Sequence, residues 1–232
     1  FLDRDGTHKY AWQTSWGVST RLIGALIMAH GDARGLILPP AVAPVQAIVL
    51  PIAIHKAGVE EAARSVIDRL VAAGVRCEGD FSDQTPGWKF AEYEMKGVPL
   101  RIELGPRDLE KNQVVLCKRN DGAKEICSID DIEKEVKNKL EQIHNEMYQK
   151  ALDQLLHSVT EVHTYDELKE VVNVKGGYAK MMWCGDEACE NKIKEDTNAT
   201  SRCMPFDQRP FGDTCPICGK KATKVVLFAK AY

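Results

Sequence analysis

Apolar positions in the middle of the chain follow two periods, one typical of strands and one typical of helices. Residues 46–54 form an apolar run interrupted only by Pro51, which favours a buried strand. From Glu60 to Ala73, apolar residues recur at steps of three and four and share one helix face, and Gly74 would end this helix. The residues on that face are Ala63, Val66, Ile67, Leu70 and Val71.

The alternation continues to residue 118 and predicts an α/β fold. Strands that alternate with helices pair in parallel, because each helix crosses the sheet before the next strand begins. We therefore expect a sheet with helices packed on its faces. Pro39, Pro40 and Pro44 form a stiff connection ahead of this domain. The further predicted elements are strands at Val75–Glu78, Val98–Leu104 and Gln113–Lys118 and a helix at Gly87–Lys96.

The first 40 residues predict a strand, a helix and a second short strand. These elements span Lys9–Trp16, Arg21–His30 and Gly35–Leu38. Either Ser19 or Thr20 can cap the helix, and Gly31 can end it. Its predicted apolar face consists of Leu22, Ile23, Leu26 and Ile27.

The last hundred residues predict a long amphipathic helix followed by a smaller module. Ser128–His157 carries apolar residues at steps of three and four opposite a charged, solvated face. Thr164 and Glu167 have the spacing of a capping box for a short helix that reaches Val172. The final predicted strands are Tyr178–Trp183 and Lys224–Ala229.

Composition excludes several classes of protein. The chain has 232 residues, 44% of them apolar and 28% charged, which is enough for two domains with separate cores. A net charge of −3 gives no general attraction to nucleic acid, so we expect RNA contacts only at a local patch and no DNA partner. No apolar run approaches the roughly 18 residues of a membrane span, and the start has no signal-peptide pattern. We expect a soluble, cytoplasmic protein without a membrane partner. Because the sequence starts without Met, we also expect the C-terminal part of a longer polypeptide.

Five of the eight cysteines lie within one short stretch of the chain. Two close pairs separated by a loop have the spacing of a tetrahedral zinc site, because each pair can hold one edge of the ion. Cys203 lies between the pairs and is expected to pack, although it could replace one ligand. The alternatives to structural zinc are a disulfide or free thiols. Four thiolates would leave no open position for catalysis. The expected ligands are Cys184, Cys189, Cys215 and Cys218, whereas Cys77, Cys117 and Cys127 are expected to be buried hydrophobes in a reducing compartment.

Arg21 opens the first predicted helix just after a glycine-containing strand end. A guanidinium in this position, beside main-chain N–H groups and the positive end of the helix dipole, is well placed to bind a phosphate or carboxylate. Trp16 and Gly17 precede it, and a glycine lets a small ligand approach the main chain closely. The alternative is a buried strand, turn and helix in which Arg21 makes a structural ion pair and Trp16 packs in the core.

The residues GVSTRLIGA, then HGD and GLILPP, resemble the third signature motif of class II aminoacyl-tRNA synthetases. The preceding Thr-Ser-Trp-Gly resembles prolyl-tRNA synthetases of the archaeal and eukaryotic type, and the resemblance covers the whole chain. It implies the end of an antiparallel-sheet catalytic domain at residues 1–40, with Arg21 on the ATP phosphates and Ser15, Trp16 and Gly17 beside the proline pocket. It also implies an α/β anticodon-binding domain at 41–160 and a zinc-binding α+β domain at 161–232. The first and second synthetase motifs are not among these residues.

Residues 87–108 resemble the anticodon-reading part of the same family. The resemblance implies that four positions read the second and third bases of the proline anticodon: Phe90, Glu94, Arg101 and Arg107. An aromatic ring can stack on an unpaired base, a carboxylate can accept from a base amino group, and arginine can donate to guanine O6 and N7. The alternative is a solvated helix face with a core phenylalanine. The terminal Tyr232 is implied to lie toward the active site.

The resemblance implies a proline–tRNA ligase. Its substrates would be proline, ATP and tRNA(Pro), with Mg²⁺, structural Zn²⁺ and a homodimeric assembly. A second hypothesis is a non-catalytic, zinc-containing module that binds RNA or protein, although such a module would have no chemical use for Ser15, Trp16 and Arg21. A third hypothesis is a synthetase for threonine, glycine or histidine, whose pockets are not expected to have this Ser-Trp-Gly edge.

Overall fold

The structure is a computed structural model that describes residues 1–231, so the role implied for Tyr232 lies outside the described residues. The chain forms two compact units, residues 1–147 and residues 148–232, and each is treated by itself. Among the described residues, no helix is both long and apolar enough to cross a membrane.

The first unit contains a mixed sheet of five strands in the order β2-β1-β3-β4-β5. β1 runs parallel to β2 and β3, which confirms the parallel pairing predicted from the alternation of strands and helices. β4 and β5 add to the sheet as antiparallel strands, of which β5 was not predicted from the sequence. The strands are β1 (Ala47–Pro51), β2 (Cys77–Gly79), β3 (Leu100–Leu104), β4 (Gln113–Lys118) and β5 (Lys124–Ser128).

Helices pack on both faces of this sheet. α2 and the first half of α5 bury the apolar residues of one face, including Leu70, Ile102 and Ile143. α3 packs on the other face, where Ile48 and Leu50 form a smaller core. The helices are α1 (Arg21–His30), α2 (Val59–Ala72), α3 (Pro86–Met95), α4 (Pro106–Leu109) and α5 (Ile132–His157), the last preceded by a 3-10 turn at Ile129–Asp131.

The predicted helices are largely confirmed, with one error on a helix face. Ala63, Val66 and Leu70 of α2 are buried as predicted, but Val71 is 53% exposed. Val71 lies at the edge of the predicted stripe, where the helix surface turns toward solvent. Ser128 accepts from the backbone N–H of Asp130 and so caps the 3-10 turn before α5.

The two strands predicted within residues 1–40 are absent from the described structure. Residues 9–16 form no ladder, and their large side chains are exposed, with Trp12 and Tyr10 fully so. A strand needs hydrogen-bonding partners, and this part of the chain has no neighbouring strand within the described residues. Residues 35–38 are extended but irregular: Leu36 and Leu38 donate to the carbonyls of Met95 and Gly97 at 3.0 and 3.2 Å.

The second unit has a four-stranded sheet in the order β6-β7-β9-β8. β6 and β7 are parallel, whereas β9 pairs antiparallel with β7 and β8. Thr164 and Glu167 form the predicted capping box at 3.2 Å in each direction. β6, α7 and β8 were not predicted from the sequence. The elements are β6 (Val159–Glu161), α6 (Tyr165–Glu170) with a π turn (Val171–Lys175), β7 (Tyr178–Trp183), α7 (Glu187–Thr197), β8 (Ala199–Cys203) and β9 (Lys224–Lys230).

Candidate RNA interface and metal centre

The predicted substrate residues lie on an exposed segment and at the start of α1. Ser15, Trp16 and Gly17 are exposed, with Trp16 at 92%, and no atom lies within 4 Å of a Cβ built on Gly17. Arg21 is the first residue of α1, and its backbone N–H donates to Ser19 Oγ at 3.4 Å. Within residues 1–231 the Arg21 guanidinium has no ion-pair partner, so the structure does not support the alternative of a structural ion pair.

The apolar face of α1 is also uncovered. None of its residues is buried, and Leu22 and Ile23 are 58% and 60% exposed. The alternative of a buried strand, turn and helix therefore does not hold for this part of the described chain.

One buried arginine joins the segment after α1 to α3. The Arg119 guanidinium donates to both carboxylate oxygens of Asp32, at 2.9 and 2.7 Å, and to the backbone carbonyl of Glu94 at 2.8 Å. Its side chain is 2% exposed. This hydrogen-bonded arginine holds the pKa of Asp32 well below its usual range. Gly35 lies so close that an added Cβ would be 2.6 Å from the Met95 backbone, so only glycine fits there.

Three of the four predicted anticodon residues meet on the face of the first sheet that α3 covers only in part. The Arg101 guanidinium lies 4.1 Å from the centre of the Phe90 ring and 3.3 Å from Glu94 Oε1. Phe90 and Glu94 are half-buried, whereas the Arg101 side chain is only 9% exposed. Arg107 lies apart in α4, is exposed and has no ion-pair partner among the described residues. The structure thus joins an aromatic ring, a carboxylate and a guanidinium in one cluster.

Three further residues belong to this cluster and were missed by the sequence analysis. Glu103 Oε1 accepts from Arg101 Nε and from Lys124 Nζ, each at 3.0 Å. Cys117 lies beneath, where its sulfur accepts from Arg101 Nη2 at 3.3 Å and burial raises the pKa of the thiol. Arg101 and Glu103 are two apart on β3 and therefore share a face, which the sequence could have revealed. Lys124 comes from the unpredicted β5.

The four cysteines predicted as zinc ligands lie together in the second unit. Their sulfur atoms all lie within 4.8 Å of one another. Cys184 Sγ lies 3.7 Å from Cys189 Sγ and 3.8 Å from Cys218 Sγ, too far for disulfide bonds. Zinc bonded to sulfur at about 2.3 Å places the corners of its tetrahedron about 3.8 Å apart. The donor set and its spacing therefore fit a Zn²⁺ ion. The four residues are Cys184, Cys189, Cys215 and Cys218.

Each pair of cysteines includes a Cys-Gly turn that directs a backbone donor at a sulfur. Gly185 and Gly219 have φ of +86° and +71°, a region that favours glycine. These turns bring the N–H groups of Asp186 and Lys220 to the sulfurs of Cys184 and Cys218, and each bond lowers the pKa of its thiol. Burial acts more strongly on Cys184, whose pKa is raised overall. Backbone donors at both turns are suited to stabilise bound thiolates.

Cys203 lies outside this cluster. It belongs to β8 and is exposed, so the expectation that it packs is wrong. Cys77, Cys117 and Cys127 are buried, as predicted.

Comparison with known families agrees with this architecture. Residues 46–139 match the family described as anticodon binding domain. The mixed sheet and its helices are therefore an anticodon-binding domain. Residues 165–232 match the family described as prolyl-tRNA synthetase, C-terminal. The chain thus contains the anticodon-binding and C-terminal domains found in prolyl-tRNA synthetases.

Individual proteins are similar over the whole chain. Proline–tRNA ligases of Oceanobacillus iheyensis and Clostridium botulinum are 50% and 51% identical over 232 residues. The chain spans about half the length of these curated relatives, 48% in both cases. The solved prolyl-tRNA synthetase of Cryptosporidium parvum with halofuginone and AMPPNP has a TM-score of 0.92 and 39% identity, and the match covers all of this chain and 49% of that one. A second structure of that enzyme, with L-proline and AMP, has a TM-score of 0.91 and 40% identity over all of this chain and 50% of that one.

Proposed function

We propose that the protein carrying this chain is a proline–tRNA ligase. The observation that supports this most directly is about 50% identity, over every residue of the chain, to bacterial proteins with that name. Because the chain spans 48% of those relatives, the activity is proposed for the full-length protein. We also propose the archaeal and eukaryotic type, supported by the match of all of this chain to 49% of the Cryptosporidium enzyme.

The proposed reaction has two steps. A carboxylate oxygen of proline attacks the α-phosphorus of ATP, which forms prolyl-adenylate and releases pyrophosphate. A hydroxyl of the 3′-terminal ribose of tRNA(Pro) then attacks the prolyl carbonyl and releases AMP. Negative charge builds up on the phosphates in the first step, and an arginine fixed at a helix start stabilises it. Arg21 is exposed and unpaired within the described residues, so its guanidinium is free for this role.

The remaining substrate residues follow from the same proposal. Ser15, Trp16 and Gly17 would border the proline pocket, because an indole ring offers a flat apolar wall and Gly17 leaves space for a ligand beside the main chain. The Cryptosporidium structures contain L-proline, AMP and AMPPNP, which supports proline and ATP as ligands. We propose Mg²⁺ as the partner of the ATP phosphates, and a homodimer in the cytoplasm.

We further propose the three-part division into residues 1–40, 41–160 and 161–232 as catalytic, anticodon-binding and zinc-binding regions. Phe90, Glu94, Arg101 and Arg107 would read unpaired, guanine-rich anticodon bases. The cluster of Phe90, Glu94 and Arg101 supports this assignment, because it combines a stacking surface with a donor and an acceptor. The four thiols would hold a structural Zn²⁺, supported by their tetrahedral spacing.

The catalytic proposal is tested by ATP–pyrophosphate exchange in the full-length protein with each of the twenty amino acids. We expect exchange to require proline and to fall about 100- to 1,000-fold in Arg21→Ala, the usual loss when one transition-state donor is removed. Arg64→Ala is the matched control, because Arg64 is an exposed helical arginine that contacts Glu60 and the Phe81 ring and lies outside the proposed substrate residues. It should exchange at the wild-type rate.

Other outcomes would decide between the alternatives. If exchange requires threonine, glycine or histidine, that amino acid replaces proline as the proposed substrate. No exchange with any amino acid, in folded and zinc-loaded protein, would leave the non-catalytic binding module as the function to pursue through tRNA affinity.

The anticodon proposal predicts a loss of RNA affinity in Phe90→Leu. Stacking on an aromatic side chain contributes about 1–3 kcal/mol per base, so the Kd for a tRNA(Pro) anticodon stem-loop should rise about 5- to 150-fold. Trp88→Leu, an aromatic substitution on the same helix at a half-exposed position outside the cluster, is the control. Equal losses in both variants would contradict a specific role for Phe90.

A further inference from the structure

Glu103 lies at the centre of the charged cluster on the partly open sheet face. Its Oε1 accepts from Arg101 Nε at 3.0 Å and lies 3.0 Å from Nη2 of the same guanidinium as an ion pair. Lys124 Nζ approaches both oxygens, at 3.0 and 3.2 Å. The side chain is 13% exposed, so this carboxylate is held largely within the protein. One carboxylate therefore fixes two cations, one buried and one at the surface.

Arg101 has little freedom left once Glu103 holds it. Its other contacts are Glu94 at 3.3 Å, the sulfur of Cys117 at 3.3 Å and the face of the Phe90 ring at 4.1 Å. Glu103 accepts from Nε, whereas Glu94 and Cys117 contact the two terminal nitrogens, so the guanidinium plane is fixed from three sides. A change at Glu103 should therefore reorient Arg101 without removing it.

The cluster also has balanced charge. Arg101 and Lys124 carry one positive charge each, and Glu94 and Glu103 carry one negative charge each. Arg34 approaches Glu94 from outside the cluster at 3.8 Å, and its own charge is paired with Asp32 at 3.6 Å. A surface with balanced charge attracts RNA phosphates weakly, so recognition depends on matching donors to acceptors. Without the charge of Glu103, two cations would face one carboxylate and would attract any RNA backbone.

Guanine matches this arrangement better than adenine does. Its O6 and N7 are acceptors suited to a guanidinium or ammonium, while its amino group is a donor suited to a carboxylate. Adenine has an amino group where guanine has O6, so it would bring a donor toward Arg101 or Lys124. A guanidinium plane can also stack on an unpaired base.

We propose that Glu103 is a specificity-determining positioning residue, which orients Arg101 and Lys124 toward an unpaired guanine and suppresses binding to other RNA. The proposal rests on the anticodon-reading function proposed above. It predicts that loss of Glu103 changes the ratio of the affinities for guanine-containing and adenine-containing RNA more than it weakens binding to RNA in general.

The test compares the binding of the 232-residue chain to two RNAs by fluorescence anisotropy. One is the tRNA(Pro) anticodon stem-loop, and the other is the same RNA with the anticodon guanines replaced by adenine. We expect the wild-type chain to prefer the guanine RNA by about 5- to 150-fold, the discrimination that one well-placed pair provides. Glu103→Gln should lose most of this preference while it binds the adenine RNA as tightly as wild type or more tightly, with a steeper salt dependence.

Two variants separate position from charge. Glu103→Asp keeps the charge but withdraws the carboxylate from Arg101, so it should also lose the preference, without tighter binding to the adenine RNA. Glu125 also lies on β5, next to Lys124, but its carboxylate pairs with Lys139 at 2.6 Å. Glu125→Gln removes the same charge and should keep the wild-type preference for the guanine RNA.

Each remaining outcome overturns the proposal in a distinct way. A wild-type preference retained in Glu103→Gln would show that the residue is structural only. Loss in Glu103→Gln with full retention in Glu103→Asp would show that charge acts without positioning. A wild-type chain with no preference for guanine would overturn the anticodon function itself, and the assignment of Glu103 with it.

Discussion

Removal of zinc with a strong chelator is expected to unfold the second unit while the first unit stays folded. The thiols join the end of β7 and the start of α7 to the loop before β9, so one ion would connect elements far apart in the sequence. A module of this size buries a small core, whereas structural zinc sites contribute about 10–16 kcal/mol of binding free energy. The first unit has its own larger core around Leu70, Ile102 and Ile143.

Hydrogen exchange of the whole chain, with and without chelator under reducing conditions, measures this effect. Amides of β7 and β9 should lose protection, and those of β1, β3 and β4 should keep it. Metal analysis should find one zinc per chain, which Cys184→Ser should abolish. Cys203→Ser provides the matched control, because Cys203 is an exposed thiol outside the cluster.

Two results would contradict a structural zinc. One is full protection of β7 and β9 in metal-free protein. The other is loss of zinc in Cys203→Ser together with its retention in Cys184→Ser, which would place the ion elsewhere.

The thiol cluster could be predicted from the sequence because the spacing of cysteines within each pair, over a few neighbouring residues, already indicates a metal site. Short spacings within each pair, and a glycine after Cys218, restrict the possible geometry to a few turns. Gly185 directly follows Cys184, so a second glycine turn could have been predicted in the same way. The state of Cys203 was not readable, because its exposure depends on the pairing of β8, a strand that the sequence analysis missed.

Most helices were predictable for a similar reason, with α7 as an exception, whereas the strand expected at residues 9–16 is absent from the described structure. A helix satisfies its backbone groups within one segment, so the pattern of α1 suffices even though its apolar face is uncovered. A strand depends on a partner, and the alternation of side chains does not reveal whether that partner exists. The same limit explains why β5 was missed. Because β5 was missed, the contact of Lys124 with Glu103 could not be predicted either.

The contact between Arg119 and Asp32 lay beyond sequence reasoning altogether, and it carries the second large prediction. Asp32→Asn should destabilise the first unit by about 3 kcal/mol, because removing one partner of a buried pair leaves the other charge buried and uncompensated. Arg119 is the buried partner, with a side chain 2% exposed, and Asp32 is 34% exposed. This places the expected loss at the lower end of the 3–5 kcal/mol found for such pairs. Urea unfolding of the first unit, followed by near-UV circular dichroism, measures it.

An exposed pair supplies the control for this measurement. Glu60→Gln removes a carboxylate that lies 2.7 Å from Arg64, but both side chains are about half exposed. Its loss should cost no more than about 0.5 kcal/mol. Equal effects of Asp32→Asn and Glu60→Gln would mean that burial of Arg119 adds nothing to the strength of its pair.

The loss in Asp32→Asn should also depend on pH in a defined direction. Pairing with Arg119 lowers the pKa of Asp32 below its ordinary value of 3.8, so the folded state binds the proton less readily than the unfolded state. The stabilisation is therefore complete well above pH 3.8 and disappears as the pH falls through the lowered pKa of the folded state. The stability difference between wild type and Asp32→Asn should be constant near neutral pH and narrow on acidification below 3.8.

A double substitution shows whether the cost comes from the unpaired arginine. Arg119→Met in the Asp32→Asn background removes the buried charge, so it should recover part of the lost stability. The recovery should be incomplete, because Arg119 also donates to the carbonyl of Glu94 at 2.8 Å and methionine cannot replace that bond. If the double variant is less stable than Asp32→Asn by the full cost of Arg119→Met alone, the two residues are not coupled. In that case the contact is a consequence of the fold and contributes nothing to holding residues 31–38 against α3.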